Sequence, residues 1–172
     1  MPPVLKTLID RCLRNWPLVA ALASALMLAI AHAFETFGGL APCTLCLRAR
    51  EVYWVALTVG LVGFGGGLVV KDDRIRRLAS LLLAAIFLFG VAVAIYHAGA
   101  EWKFWPGPKT CASGAISQLT SLDAVLKGDR IKAPACDEAA WVFLGLSMAG
   151  WNGLISLKLT ILSVMAARLK RD

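Results

Sequence analysis

Residues 78–100 read LASLLLAAIFLFGVAVAIYHAGA, a stretch of 23 residues without lysine, arginine, aspartate or glutamate. At a rise of about 1.5 Å per residue, a helix of this length measures about 35 Å. The hydrocarbon core of a lipid bilayer is about 30 Å thick. The stretch therefore predicts a transmembrane helix rather than a buried helix of a soluble domain.

Three further stretches are also long, apolar and uncharged, and the composition of the whole chain likewise indicates a membrane protein. The 172 residues are 59% hydrophobic with a mean hydropathy of +0.71, above the roughly 45–50% apolar content of a soluble domain. We therefore predict an all-α fold, an integral membrane four-helix bundle that forms a single domain. The further stretches are Trp16–Phe34, Val52–Val70 and Ala139–Leu157. The predicted helices occupy about 16–34, 52–70, 78–98 and 143–165, with loops at about 35–47 and 99–140.

The net charge of +7 is distributed unevenly along the chain. Ten lysines and arginines but four acids lie in the two tails and the middle loop, whereas the other two loops hold seven of each. Because basic residues are enriched in cytoplasmic segments, both termini are predicted to be cytoplasmic and the long loop before the fourth helix to lie outside. No nucleic-acid-binding module accompanies the charge, so we expect no nucleic-acid partner.

Four of the five cysteines are predicted on the outer side, where disulfides persist. They are Cys43, Cys46, Cys111 and Cys136, whereas Cys12 falls in the amino-terminal tail. The first two form a C-x-x-C motif, a spacing common in thiol–disulfide oxidoreductases and also found in metal sites. The motif precedes the second helix, whose positive end favours a thiolate. A zinc site of four thiols is disfavoured because only one C-x-x-C is present, so we expect no metal.

Two side chains near the motif are candidates for binding a cofactor. On a helix, Arg50 lies on the same face as Cys43 and Cys46 because the three are spaced i, i+3 and i+7. Its guanidinium can stabilise the Cys46 thiolate and donate to a quinone carbonyl, the alternative being an anchor at the headgroups. His97, at the outer end of the third helix, can also hydrogen-bond a quinone or shuttle a proton. The alternative for His97 is a solvated helix end.

The second outer pair, Cys111 and Cys136, encloses 24 residues. As a structural disulfide, this pair would add roughly 3.5 kcal/mol to the free energy of unfolding by the loop-entropy estimate. Two disulfides at the same face can instead exchange through mixed disulfides. The spacing alone leaves both roles open.

Three segments of the chain resemble the DsbB family of disulfide bond formation proteins. They are PCTLCLRAR (42–50), YHAGAEWKFWPGPKTC (96–111) and CDEAAWVFLGLSMAGWN (136–152). The segments occur in the expected order among four helices, and the resemblance covers essentially the whole chain. It implies a multi-pass protein of the bacterial inner membrane that oxidises a periplasmic DsbA-like thiol oxidase and reduces a membrane quinone, either ubiquinone or menaquinone.

The resemblance also implies roles for individual residues. Cys43 and Cys46 are similar to the quinone-coupled pair, in which Cys46 donates electrons to the quinone. Cys111 resembles the cysteine that forms the mixed disulfide with the partner, and Cys136 its companion in the loop. Arg50 resembles the family's quinone-site arginine, and His97 a histidine near that site.

One departure from the family pattern concerns the neighbours of Arg50. Ala49 precedes it where family members often carry an acid, and Glu51 follows instead. This difference alters how the guanidinium is held.

Two other functions are compatible with the same cysteines. A quinone-linked protein of the vitamin K epoxide reductase kind would carry its C-x-x-C near the last span, whereas here the motif follows the first. A non-catalytic membrane scaffold would use both pairs as structural disulfides. Quinone reduction by the purified protein separates the scaffold from the enzyme.

Overall fold

The computed structural model describes residues 3–40, 42–70, 73–108 and 136–169, and these residues are mostly helical. The elements in chain order are α1 (Pro3–Arg14), α2 (Trp16–Thr36), α3 (Thr44–Val69), α4 (Asp73–Glu101), β1 (Val142–Phe143), β2 (Leu146–Ser147) and α5 (Met148–Arg168). Helices α2 to α5 are each long and apolar enough to cross a membrane. The prediction of a helical protein with four candidate transmembrane helices is confirmed for the described residues, apart from the short strands β1 and β2.

Helix α3 begins at Thr44, eight residues before the predicted start at 52. The charged residues Arg48, Arg50 and Glu51 interrupt the apolar stretch, but a charged residue does not end a helix. Cys43 caps the helix instead, with extended backbone and a sulfur that accepts a hydrogen bond from the Cys46 backbone N–H at 3.3 Å. The C-x-x-C motif therefore lies at the helix start itself.

The last helix begins at Met148 rather than at about 143. The apolar residues before it form a short antiparallel hairpin, in which Val142 faces Ser147 and Phe143 faces Leu146. Leu144 and Gly145 make the turn with φ of 51° and 77°, the left-handed values required at both centres of a type I′ turn. Because Ser147 then caps α5 by accepting from the Gly150 backbone N–H, the prediction of helix from 143 was wrong for these residues.

The first helix, α1, was not predicted. It carries basic residues at its end, among them Arg11 and Arg14, and apolar side chains along one face, such as Leu8 and Leu13. Asn15 separates it from α2, and Pro17 occupies the first turn of α2, a position where the missing proline N–H costs no hydrogen bond. The amino-terminal segment is thus helical although it lacks a long apolar stretch.

The long helices pack in the order α2–α3–α4–α5, with α4 and α5 making the most extensive contact. Phe87 and Leu83 of α4 are fully buried at the centre, together with Ala20 and Ala56. Hydrogen bonds between buried polar groups also join the helices. The Trp16 indole donates to Ser163 Oγ at 2.8 Å, and the Tyr53 hydroxyl donates to Asn152 Oδ1 at 2.6 Å. Large apolar side chains cover the outward faces, as for helices that contact lipid; they include Leu22, Leu26, Val62, Leu88 and Phe89.

A glycine allows the close approach of α2 and α3. A Cβ atom added at Gly60 would lie 2.6 Å from the Pro17 carbonyl oxygen and 2.9 Å from Ala21 Cβ, whereas one added at Gly65 meets nothing within 4 Å. We predict that Gly60→Ala destabilises the protein by about 1–3 kcal/mol through overpacking, seen as a lower melting temperature in detergent. Gly65→Ala on the same helix is the matched control, and equal melting temperatures for the two variants would contradict this packing.

Candidate functional site

The two thiols of the C-x-x-C motif lie together at the start of α3. Cys43 is buried and Cys46 is half-buried, and both are free thiols. Their Sγ atoms are 2.9 Å apart and share a hydrogen bond. The first turn of α3 also directs the Cys46 backbone N–H at Cys43 Sγ. The capping position therefore supplies Cys43 with two donors from its own motif.

His97 approaches the same sulfur from α4. Its Nε2 atom is 3.6 Å from Cys43 Sγ, and the imidazole is buried rather than solvated. The pKa of Cys43 is lowered from 9.0 to about 4. The largest cause is the hydrogen bond with the Cys46 thiol; a hydrogen bond and the positive charge of His97 act in the same direction and together outweigh burial. Cys43 is therefore a thiolate at neutral pH.

Cys136 belongs to the same buried cluster. It packs with Cys43 and Leu45, and Cys46 borders the group. Cys136 is disulfide-bonded, and Cys111, its companion according to the family resemblance, lies outside the described residues. The structure thus brings one sulfur of the second pair against the first pair, although 89 residues separate Cys46 from Cys136 in the chain.

Arg50 is held by α2 rather than by the cysteines. Its guanidinium donates to Glu35 Oε2 at 2.6 Å and to the Ala31 carbonyl at 3.2 Å. Both of these contacts are with α2, so the thiolate stabilisation that was expected for Cys46 from Arg50 is found instead at Cys43, where it comes from the Cys46 thiol and from His97. Glu35 is the acid that pairs with Arg50, while Glu51, the residue after Arg50, pairs with Arg48 at the surface.

Glu101 is a buried acid at the site that the sequence analysis did not identify. Its Oε1 atom is 3.6 Å from His97 Nε2, and only 6% of its side chain is exposed. The i, i+4 spacing from His97 was the available signal, because residues with that spacing share a helix face. The signal was hidden because α4 was predicted to end near 98, whereas the helix continues to Glu101.

The cluster was also assessed as a metal site. Ligand atoms of Cys43, Cys46 and His97 all lie within 4.8 Å of one another. However, two thiolates on one tetrahedral zinc ion stand roughly 3.8 Å apart, given Zn–S bonds of about 2.3 Å. The 2.9 Å separation of the two sulfurs is much shorter. The geometry therefore favours thiol–disulfide chemistry.

Comparison with known proteins shows what this chain is similar to. A family model described as "Disulfide bond formation protein DsbB" matches residues 13–166. "Disulfide bond formation protein B" of Pasteurella multocida is 31% identical over 144 residues, which cover 81% of this chain and 78% of that protein. "Disulfide bond formation protein B 2" of Pseudomonas aeruginosa is 32% identical over 177 residues, which cover 98% of this chain and 96% of that protein.

Proposed function

This chain belongs to the DsbB family of membrane disulfide bond formation proteins, and from that premise we propose that it is a quinone-dependent thiol oxidase. In this function it reoxidises a periplasmic DsbA-like dithiol oxidase and passes two electrons to a membrane quinone. The observation that carries the proposal is the buried cluster of Cys43, Cys46 and Cys136, with His97 Nε2 3.6 Å from Cys43 Sγ. Family membership supports the general chemistry, and this cluster supports the route of the electrons.

The first exchange takes place at the Cys111–Cys136 disulfide. A thiolate of the reduced partner attacks Cys111 and releases the Cys136 thiolate, and the partner's second thiol then resolves the mixed disulfide. The partner leaves as a disulfide, and Cys111 and Cys136 keep two electrons and two protons as a dithiol.

The second exchange moves the electrons to Cys43 and Cys46 at the start of α3. Cys136 packs against Cys43, so its thiolate is positioned to attack Cys43 in a Cys43–Cys46 disulfide, and Cys46 is the leaving group. Cys111 then closes the Cys111–Cys136 disulfide again and leaves Cys43 and Cys46 as a dithiol.

The quinone supplies the oxidising power, accepting two electrons and two protons as the Cys43–Cys46 disulfide re-forms. Arg50 fits a role in binding its carbonyl oxygen. A guanidinium has five N–H donors, of which the contacts to Glu35 and Ala31 use two. His97 helps to keep Cys43 in the thiolate form; when Cys43 and Cys46 form their disulfide, the two electrons and the Cys46 proton that are released would pass to the quinone.

The charge distribution supports an orientation for this chemistry. Ten basic residues against four acids in the tails and the middle loop favour a cytoplasmic location for both termini. The C-x-x-C motif and Cys136 then face the periplasm of a bacterial inner membrane, where partner oxidases reside. This orientation leaves Cys12 on the opposite, reducing side.

The non-catalytic scaffold is less compatible with these contacts. A histidine that stabilises a thiolate has no use in a permanent bridge. The position of the motif after the first span likewise favours the DsbB arrangement over the vitamin K epoxide reductase kind.

Trapping the mixed disulfide tests the proposal directly. We expect the wild-type protein with its Cys111–Cys136 disulfide formed, mixed with a reduced DsbA-like protein whose second motif cysteine is replaced by serine, to accumulate a covalent complex through Cys111, because the thiol that resolves the mixed disulfide is missing. Non-reducing electrophoresis and peptide mass spectrometry would identify the bond. The wild-type protein should form about one quinol per dithiol oxidised, and absence of both the complex and quinol would contradict the proposed function.

A further inference from the structure

The Glu101 carboxylate is a buried charge that the proposed electron route does not use. Its Oε2 atom is buried without a hydrogen-bond partner among the described residues. Its Oε1 atom faces His97 Nε2 at 3.6 Å. An ionised carboxylate in such a position is costly unless an opposite charge compensates for its lost hydration. An imidazolium at His97 provides that charge.

One nitrogen of His97 faces both reactive groups. Nε2 is 3.6 Å from Cys43 Sγ and 3.6 Å from Glu101 Oε1. The N–H on this nitrogen can therefore point to the sulfur when Cys43 is a thiolate, and to the carboxylate when Cys43 is consumed in a disulfide. In both states a negative partner favours the protonated ring.

We propose that Glu101 is a positioning residue, whose carboxylate keeps His97 as an imidazolium against Cys43 and thereby keeps Cys43 a thiolate at neutral pH. The inference rests on the proposed function, since a stabilised thiolate serves the exchange described above. Glu101 influences Cys43 through the ring and does not itself contact the Cys43 sulfur in the described structure.

The other ionisable groups near Glu101 do not replace this interaction. The Cys43 and Cys46 thiols face the site from the start of α3. Lys103 and Asp137 line a cavity together with Ala100, at the end of α4. On α2 and the next turn of α3, Glu35 and Arg50 are paired with each other, and α5 has no ionisable side chain between residues 148 and 157.

Site-resolved alkylation of the full-length reduced protein in detergent tests the inference without any quinone. The labelling rate of Cys43 by iodoacetamide, followed by peptide mass spectrometry, rises with pH as the thiolate forms and then levels off. Because the pKa of Cys43 is about 4, the wild-type rate should already be level between about pH 5.5 and 8. We expect Glu101→Gln to move the midpoint upward by at least about one pH unit, since a nearby opposite charge shifts pKa values by one to three units.

Three further variants make the test specific to the proposed contact. Glu101→Asp keeps the negative charge, so its midpoint should lie between those of the wild type and Glu101→Gln. Glu101→Gln should add no further shift in a His97→Ala background, because its effect passes through the ring. Glu51→Gln removes an exposed acid paired with Arg48 and should leave the midpoint unchanged.

Two results would overturn the inference. One is that the Glu101→Gln variant has the same midpoint of Cys43 labelling as the wild type. The other is that Glu101→Gln shifts this midpoint equally whether His97 is present or replaced by alanine. Neither result bears on quinol formation, so the failure of this inference is distinguishable from the failure of the proposed function.

Discussion

Replacing Cys46 by serine is expected to lower quinone-linked turnover by at least about a thousandfold, because a C-x-x-C pair acts as one unit. A serine oxygen cannot form the disulfide that stores the two electrons, although it still fits the first turn of α3. The measurement is quinol formation in detergent or liposomes, with a reduced DsbA-like protein as the electron donor. In this variant the Cys43 thiolate can still attack Cys136 of the Cys111–Cys136 disulfide and release the Cys111 thiolate, so a Cys43–Cys136 disulfide should be detectable as a dead-end product.

Cys12→Ser is the matched control for this substitution. Cys12 is an exposed free thiol on α1, outside the cluster of the other cysteines. Its loss should leave turnover within about twofold of the wild type, in the range of surface substitutions. Turnover of the Cys46→Ser variant within tenfold of the wild type would eliminate the Cys43–Cys46 pair as the electron carrier.

Replacing Arg50 by glutamine is expected to raise the KM for quinone by about 10- to 100-fold. A hydrogen bond to a charged group is worth about 1.5–3 kcal/mol, and every 1.4 kcal/mol corresponds to a factor of ten in binding. The expected effect is confined to the quinone step, because Arg50 contacts α2 and no described contact joins it to the sulfurs. Steady-state kinetics with varied quinone, and separate measurement of partner exchange, would resolve the two steps.

Arg48 offers a matched control two residues earlier. Its side chain is 65% exposed and pairs with Glu51, whereas that of Arg50 is 14% exposed and pairs with Glu35. Arg48→Gln should therefore leave the KM for quinone nearly unchanged. Equal KM values for the two variants, at equal melting temperatures, would show that Arg50 does not bind the quinone.

The transmembrane helices were predictable to different degrees. The long uncharged stretches predicted α2 closely, since burial in lipid depends on the apolar content of a continuous segment, whereas α4 extends five residues before and three residues beyond its predicted bounds of 78 and 98. The starts of α3 and α5 were misplaced because hydropathy does not register capping. Cys43 begins α3 just before three charged residues, and Leu144–Gly145 turn an apolar segment into a hairpin before α5.

The candidate site was likewise predictable only in part. The C-x-x-C spacing was enough to predict that the Cys43 and Cys46 sulfurs lie side by side, because two intervening residues bring them together within one helical turn. The acid that holds Arg50 was not predictable, since Glu35 comes from another helix. Glu101 was missed because the end of α4 was placed too early.

The four long helices, the DsbB family and the residue types able to exchange disulfides could all be predicted, because they depend on local composition and spacing. Which cysteine is the stabilised thiolate could be learned only from the packing of the helices. That choice depends on the rotation of α4 against α3, which directs His97 to Cys43 and leaves Arg50 with Glu35. Electrostatic stabilisation falls off over a few ångströms, and such distances between helices are set by side-chain packing rather than by the order of residues along one helix.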